Sequence, residues 1–508
     1  MAKYKPYDYS QTVLLPVSLE EQLMPGTLEF AIHALVETRM DMSLFDEKYK
    51  NDETGRAAYD PKVLLKVVLF AYSRGIVSSR KIERACQENV TFMALACGAK
   101  PDHSTIAAFV SSMKKEILPL FRDILLVCEQ EGLLGGTVFA LDGCKLPSNA
   151  SKEWSGTIAD LKKRKKKIEK KVKELLVEQR KTDKREAGGS GKGGMGDGDS
   201  RQRQVERLKK KAARLEVWLE ENEAKIGDRG KETQSNVTDN ESAKMWTRHG
   251  TIQGYNGQAL ADEKHQIIVH GEAFGKGQDS RHLGPMVDGA KQNMKRIGYS
   301  EDCFRGKLWL ADADYHSTTN LAKCVEEGLD AYIPDKRFRR RDPRLSPKRL
   351  PLQRENKYGL DDFRYDEATD QYACPEGKIL KFNTKRMKGK GTLYRRYHAH
   401  PKDCQVCTSR LRCLTAHGGR RKTLCVPIGP EGVDLSKQMA AKIDSDQARS
   451  FYAERMKIVE PIFGNIRIQK GLDRFTLRGK VKVNIQWLLY CMVHNIEKIM
   501  RYGQAYAH

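Results

Sequence analysis

Several things are scarce in this chain of 508 residues, and each scarcity excludes something. No apolar run approaches the roughly 18–20 residues of a membrane-spanning helix. The best stretch, Val63 to Tyr72, is interrupted by Lys66. The first residues offer only a short apolar patch, Val13–Val17, with Pro16 inside it. A secretory signal needs a longer apolar centre and a small-residue cleavage site. No membrane partner is therefore expected, and a cytoplasmic location is the default. The 12 cysteines are then reduced thiols, mostly small buried apolar groups unless their spacing indicates a metal. Acids are the scarcer charge, 67 against 91 Lys and Arg, which leaves a net +24. That excess favours a polyanionic partner, nucleic acid once lipid is set aside. With 31% charged and 39% hydrophobic residues the composition is ordinary for a globular chain, so wholesale disorder is excluded. The length suggests two to four domains.

Short helices with capped turns fill the first 130 residues. Asp60 is placed to cap a helix with Pro61 at its first position, and Val63, Leu64, Val67, Val68 and Tyr72 follow at helical spacing. Ser78 and Ser79 open another helix, a short one surrounds Phe92–Leu95, and Asp102-His-Ser-Thr105 opens a segment with Ile106, Phe109 and Met113 on one face. A helix-turn-helix domain and a plain helical bundle fit this pattern equally well. Farther on, Leu161, Ile168 and Leu175 recur every seven residues with Val172 between them, and Val205, Leu208, Ala212, Leu215 and Leu219 repeat at 3-4 spacing. Two heptad arms around a Gly-rich break (188–198) predict an antiparallel helical hairpin with a mobile tip. Lys162–Lys167 is an unbroken basic run of one sign, which favours phosphate contact over a merely solvated face.

Strand-like runs flank that hairpin. Thr137–Leu141 ends in Asp142, Thr251–Asp262 and His265–Phe274 form a β-hairpin, and Lys307–Ala311 ends in Asp312. Helices fit 283–297, 318–327, 446–466 and 480–502, with a short strand at 330–334. Without its insertions the order is β-β-β-α-β-α-β-α. Carboxylates at strand ends project into the crevice of an open sheet. A third acid against that edge would complete an oxygen-rich site for Mg²⁺ or Mn²⁺, hard cations that activate a nucleophile in phosphodiester displacement. Near the C-terminal end, Tyr452, Met456, Val459, Phe463 and Ile466 form an apolar helical stripe beside Glu460 and Arg467.

The words Ala140-Leu-Asp-Gly-Cys-Lys145, Asn149-Ala-Ser-Lys152, Gly254-Tyr-Asn-Gly-Gln258, Ala311-Asp-Ala-Asp-Tyr-His-Ser317, Val459-Glu-Pro-Ile-Phe-Gly464 and His494-Asn495 occur in order along the chain. Asp60-Pro-Lys-Val-Leu64, Ser78-Ser-Arg-Lys-Ile82 and Pro101-Asp-His-Ser-Thr-Ile106 precede them. Together they resemble bacterial insertion-sequence transposases of the DDE class, in the branch with a Tyr-Arg-Glu-Lys signature. The resemblance implies an α/β, ribonuclease-H-like mixed-sheet core. It implies Asp142, Asp312 and Glu460 as a triad holding two Mg²⁺ or Mn²⁺ ions, with Tyr452, Arg455 and Arg467 on DNA. Asp314 competes with Asp312 for the second position. Four residues separate Arg455 from Glu460, one more than usual, Arg467 takes the lysine position, and Pro461 predicts a kink at Glu460.

The expected domains are a helical N-terminal DNA-binding unit (1–130), the catalytic core (131–335 and 441–508), the coiled-coil hairpin (155–235) carrying Lys162, Lys163 and Arg164, and a basic cysteine-containing insertion (336–440). In that last insertion Cys374 is followed by Cys404-x₂-Cys407-x₅-Cys413. Four thiolates suit a structural Zn²⁺, and reduced metal-free thiols suit the spacing as well. The basic runs Lys336–Arg341, Arg395-Arg396 and Arg420–Lys422 suggest contact with DNA backbone. Expected partners are double-stranded DNA, as terminal repeats and target, and a second copy of the chain, in a cytoplasmic, nucleoid-associated setting. Cleavage and strand transfer of an insertion sequence is the activity implied. An inactive transposase-derived DNA-binding protein and a structure-selective nuclease are the competing readings.

Overall fold

The computed structural model describes residues 18–48, 58–187, 197–227, 230–342, 358–388, 392–414, 419–428 and 435–504. The expected Gly-rich tip lies almost wholly outside the described residues. Helices come first: α1 (Leu28–Thr38), α2 (Pro61–Ser73), α3 (Ser79–Glu88), α4 (Val90–Leu95), α5 (His103–Ser112) and α6 (Ile117–Gln130). Asp60 caps α2, its carboxylate accepting from Lys62 N at 2.8 Å. Asp102 caps α5, accepting from Ser104 N at 2.8 Å and Thr105 N at 3.0 Å. Lys66, which breaks the longest apolar run, is buried in α2 and paired with Glu37 at 2.9 Å. The sequence pattern does not announce α6. Pro119 sits near its start, in the first turn, where a missing N–H leaves no helical bond unmade.

The central sheet follows. In chain order come β1 (Val138–Pro147), β2 (Ser155–Gly156), the arms α7 (Ile158–Ala187) and α8 (Asp197–Glu221), β3 (Ser235–Asn236), β4 (Ala243–Thr247), β5 (Gly250–Asp262), β6 (Ile268–Phe274), α9 (Leu283–Arg296), β7 (Leu308–Ala311), α10 (Thr318–Glu326) and β8 (Asp330–Tyr332). The six-stranded sheet has the order β4-β5-β1-β7-β8, with β6 also on β5. β1, β5 and β6 pair antiparallel, while β7 and β8 continue from β1 in parallel. The hairpin arms pack by their heptad residues: Leu161 and Leu215 meet Trp218 at the base, and Val172, Leu175 and Val205 form the next layer.

A second sheet occupies the cysteine-bearing insertion. Its elements are α11 (Phe338–Arg341), β9 (Arg364–Asp366), β10 (Gln371–Ala373), β11 (Ile379–Lys388), β12 (Thr392–Ala399), α12 (Pro401–Gln405), α13 (Arg410–Cys413) and β13 (Thr423–Ile428). The strands run antiparallel in the order β13-β12-β11-β10-β9 around a small core of its own. Part of its positive charge is paired within the fold. Arg341 is held by Asp335 and Asp444, Arg395 pairs with Asp370, and Lys422 donates to the Tyr358 and Cys413 carbonyls. In each case a carboxylate or carbonyl brought close by folding takes the donor.

The chain then forms α14 (Leu435–Ile443), α15 (Asp446–Gly464) and α16 (Lys480–Tyr502). Every residue of α16 from 485 to 496 is buried, the mark of a helix packed on all sides. It touches α1, α2, α5 and α6 on one side and β6 on the other, so the helical layer and the sheet share one continuous core. β6 is an edge strand, and two asparagines of α16 complete its hydrogen bonds. Asn495 accepts from Ile268 N and donates to Ile268 O, both at 2.9 Å. Asn484 does the same for Ala273, at 2.7 and 3.0 Å. Eleven helical residues and five strand residues each span about 16.5 Å, so the two clamps are commensurate. A bulge between Leu260 and Ala261 in the β5 register turns Ile268 outward in step with Ala273. No helix among the described residues is long and apolar enough to cross a membrane.

Candidate active site

β1 and β7 share a parallel ladder that ends at Leu141 opposite Ala311. The next residue on each strand is an aspartate, Asp142 and Asp312. Asp142 does not end its strand, as its Asp-Gly context suggests. β1 continues to Pro147 against β5, and Asp142 lies where β7 departs. Asp312 caps a short 3₁₀ turn (Ala313–Tyr315), accepting from Asp314 N at 2.9 Å. Asp314 is exposed and lies 3.7 Å from Lys336. Of the two candidates for the second acid, Asp312 is the one whose charge presses on Asp142.

A further carboxylate joins them. Asp279 opens a 3₁₀ turn before α9, accepts from Asn256 Nδ2 at 2.6 Å and Gln258 Nε2 at 2.9 Å, and lies 3.7 Å from Lys145. Its charge acts on both Asp142 and Asp312. Tyr315 donates to Gln258 Oε1 from beneath, and Asn256 Oδ1 is buried without a partner. A Cβ on Gly143 would stand 1.9 Å from Gln258 Nε2 and 2.9 Å from Asn256 Oδ1. Glycine after Asp142 is what lets these amides lie against the strand, so two words of the sequence pattern, Asp142-Gly143 and Asn256-Gly-Gln258, are one construction. Sequence reasoning missed Asp279, because nothing local distinguishes it from a turn acid.

α15 crosses the sheet face against β1, β5, β7 and β8. Arg455 Nη1 reaches Asp142 Oδ2 at 2.9 Å, and Arg455 Nε is buried without a hydrogen-bond partner. Burial pushes Asp142 up to about 6; Arg455 opposes that rise, and Asp312 and Asp279 add to it. Burial raises Asp312 too. Burial opposes the charge of Arg455, but Asp142, Tyr452 and Asp312 hold its pKa above the ordinary arginine value. Tyr452 packs edge-on against Phe338 beside the guanidinium.

Glu460 does not join the aspartates. It is exposed on α15, and five residues past Arg455 it lies about 140° around the helix from the side that reaches Asp142. The expected convergence of Asp142, Asp312 and Glu460 is therefore absent from this arrangement. Met456, expected to face inward, is 55% exposed, and the inward face is instead Arg455, Ile458, Val459 and Ile462. The helix stays continuous where Pro461 predicts a kink. The Lys457 carbonyl that proline cannot serve accepts from Gln266 Nε2 at 3.3 Å. A π-helical turn, Asn465–Gln469, follows at once and carries Arg467, whose charge is felt at Cys144 on β1.

Two comparisons with protein families match this chain. Residues 17–112 match a family described as a transposase domain (DUF772), and residues 373–500 match one described as a transposase DDE domain. The chain belongs to the DDE-type transposases. The second match spans Tyr452, Arg455, Glu460 and Arg467 of this transposase but begins beyond Asp142 and Asp312. These matches do not distinguish the Tyr-Arg-Glu-Lys branch. No curated protein matches the transposase in sequence. A cryo-EM structure titled as a piggyBac transposase synaptic complex with hairpin DNA aligns over 93% of this chain and 74% of that one, at 10% identity and a TM-score of 0.30, a likeness too slight to argue from.

On the transposase hairpin, Lys162 and Lys163 are exposed and Arg164 is partly so, whereas Lys165 is tied to Glu216. Asp142, Asp312 and Asp279 are hard oxygen donors whose mutual repulsion a divalent cation would relieve, so the donor set fits Mg²⁺ or Mn²⁺. In this arrangement the Arg455 guanidinium neutralises Asp142. No three His, Cys, Asp or Glu side chains among the described residues already stand in metal-ligating geometry.

Proposed function

We propose that this transposase cleaves DNA at the ends of an insertion sequence and joins the freed 3′-hydroxyl to target DNA, using divalent metal held by Asp142 and Asp312. The observation that carries this reading is the pair itself: two half-buried aspartates at the point where two parallel strands part, with a guanidinium beside them. The core is proposed to be ribonuclease-H-like, a reading supported by the strand order β6-β5-β1-β7-β8, three antiparallel strands followed by two parallel ones. Mg²⁺, when bound, supplies a Lewis acid for the scissile phosphate and an activated water or hydroxyl. The protein's own part is to hold the acids ionised, orient phosphate and exclude competing groups. Arg455 sits on Asp142 in the free protein and passes to a DNA phosphate on loading. Glu460, the third acid of the family resemblance, approaches as α15 turns to release Arg455. Arg467 and Tyr452 line the strand path, and Lys162, Lys163 and Arg164 hold flanking backbone. The working form is proposed to be a dimer or larger, acting in the nucleoid on terminal repeats gripped by the N-terminal helices.

The test is Mg²⁺-dependent cleavage and joining of end-bearing DNA by wild type, Asp142→Asn, Asp312→Asn, Asp279→Asn and Glu460→Gln. The first two variants and Glu460→Gln should lose cleavage while still binding ends. Wild-type-level cleavage by Asp142→Asn would leave only the DNA-binding reading, and cleavage without joining by wild type would indicate a nuclease. Cleavage surviving Glu460→Gln but lost in Asp279→Asn would transfer the third role to Asp279.

A further inference from the structure

Among the described residues, the cysteine-bearing sheet has a small buried apolar core: Phe363, Tyr372, Leu380, Tyr397, Ala399 and Leu424. A unit with so small a core ordinarily needs a disulfide or a metal to hold it. All twelve cysteines are free thiols, which leaves the metal.

At one end of this sheet Cys374, Cys404, Cys407 and Cys413 line a single cavity of about 30 Å³, together with Leu380, Ala399 and Tyr358. They arrive from three places in the fold. Cys374 follows β10, where a tight turn is closed by Cys374 N donating to Lys378 O at 2.8 Å and Gly377 N donating to Cys374 O at 2.8 Å. Gly377 takes φ +74° there, and the turn aims Lys378 N–H at Cys374 Sγ, 3.3 Å away. Cys404 lies in α12 and receives Lys422 N–H at 3.4 Å. Cys407 lies between α12 and α13, and Cys413 closes α13.

We infer that these four cysteines bind one structural Zn²⁺. Backbone N–H groups directed at sulfur stabilise thiolate over thiol and orient it, the usual outer support of a thiolate metal site. Lys422, whose Nζ donates to the Cys413 carbonyl at 2.9 Å, places positive charge beside a tetrathiolate that keeps a net charge of −2 with zinc bound. Four thiols surround the cavity and the ion draws them inward, four protons leaving as one Zn²⁺ enters: 4 RSH + Zn²⁺ → [Zn(SR)₄]²⁻ + 4 H⁺. No redox change and no co-reactant are involved.

The test uses the full chain purified without chelator and dialysed against trace zinc. Mass spectrometry of the metal content should give one zinc per chain, and stepwise addition of a mercurial reagent should release it as about four thiols react. Cobalt exchanged into the wild type should give the intense thiolate-to-metal absorption and the visible bands of a tetrahedral thiolate site. Cys407→Ser should bind less than a tenth of an equivalent, while Cys425→Ser, an exposed thiol outside the cavity, should keep one. Because the wild-type readings need no variant to fold and no DNA cleavage, failure of the catalytic reading leaves them unaffected. Absence of zinc from the wild type, a Cys404–Cys407 disulfide found by thiol counting, or one full equivalent in Cys407→Ser would each overturn the assignment.

Discussion

Replacing Asp142 with asparagine should make the free protein more stable at neutral pH, because this carboxylate is ionised at a cost. Its pKa rises from an ordinary 3.8 to about 6 when the chain folds, burial being the main cause. The folded state therefore binds the proton more tightly than the unfolded one. The associated stability is fully present below about pH 4 and is lost as pH climbs through about 6. That gap corresponds to about 3 kcal/mol. A chain of this length unfolds with an entropy of about 1.1 kcal/mol/K, so the loss is about 3 °C in melting temperature. Asparagine resembles the protonated acid and keeps the stability at all pH values. Calorimetry of wild type and Asp142→Asn, metal-free, from pH 4 to pH 8 should show curves that coincide at the acid end and separate by about 3 °C at the neutral end. Mg²⁺ should narrow the separation by stabilising wild type alone. A variant that melts at or below wild type at pH 8, or a separation that is the same at pH 4, would refute the assigned burial of the charge.

Three further outcomes follow from the same contacts. Arg455→Gln removes the cation that holds Asp142 down in the free protein, so the pH at which the metal-free protein loses melting temperature through Asp142 ionisation should move up, with Arg455→Lys restoring most of it. Asn495→Ala strands the buried Ile268 N–H and C=O, which should cost about 2–4 kcal/mol and be visible as a lower melting temperature. Asn495→Asp, which buries an unpaired carboxylate against the Ile268 carbonyl, should cost at least as much as alanine at neutral pH. Alanine at both Lys162 and Lys163 should lower the slope of log affinity against log salt by about 2 without changing sequence preference, whereas Lys165→Ala, already committed to Glu216, should change it little.

Much of the frame was legible because its signals are local. The Asp60 and Asp102 caps, the seam residues of α7 and α8, and the bounds of α16 all follow from periodicity and end chemistry. The β5–β6 pair was legible for the same reason, though not the bulge that sets its outward register. The site was only half legible. An aspartate followed by glycine reads as a turn, and only the amides of Asn256 and Gln258, more than 110 residues away, explain why Gly143 continues a strand. Periodicity put Met456 inside, but the buried carboxylate of Asp142 recruits Arg455 and turns the helix accordingly. Pro461 leaves the Lys457 carbonyl without its helical donor, and only the folded chain shows that Gln266 supplies one. The failures are of one kind: a charge or an unmade hydrogen bond on one element answered from another.

The two asparagine clamps on β6 also impose an order in time. β6 ends at Phe274 and α16 begins at Lys480, so 206 residues must be synthesised before the edge can be covered. At about 5–20 residues per second that interval is about 10–40 s. Throughout it, an apolar strand presents unpaired N–H and C=O groups outside the ribosome, the surface most prone to pair with a strand of another chain. The helical layer waits on the same helix. Newly made protein is thus most vulnerable to aggregation until its last long helix arrives, and yields of soluble protein should depend on the pace of translation between those two points more than on the stability of the finished fold.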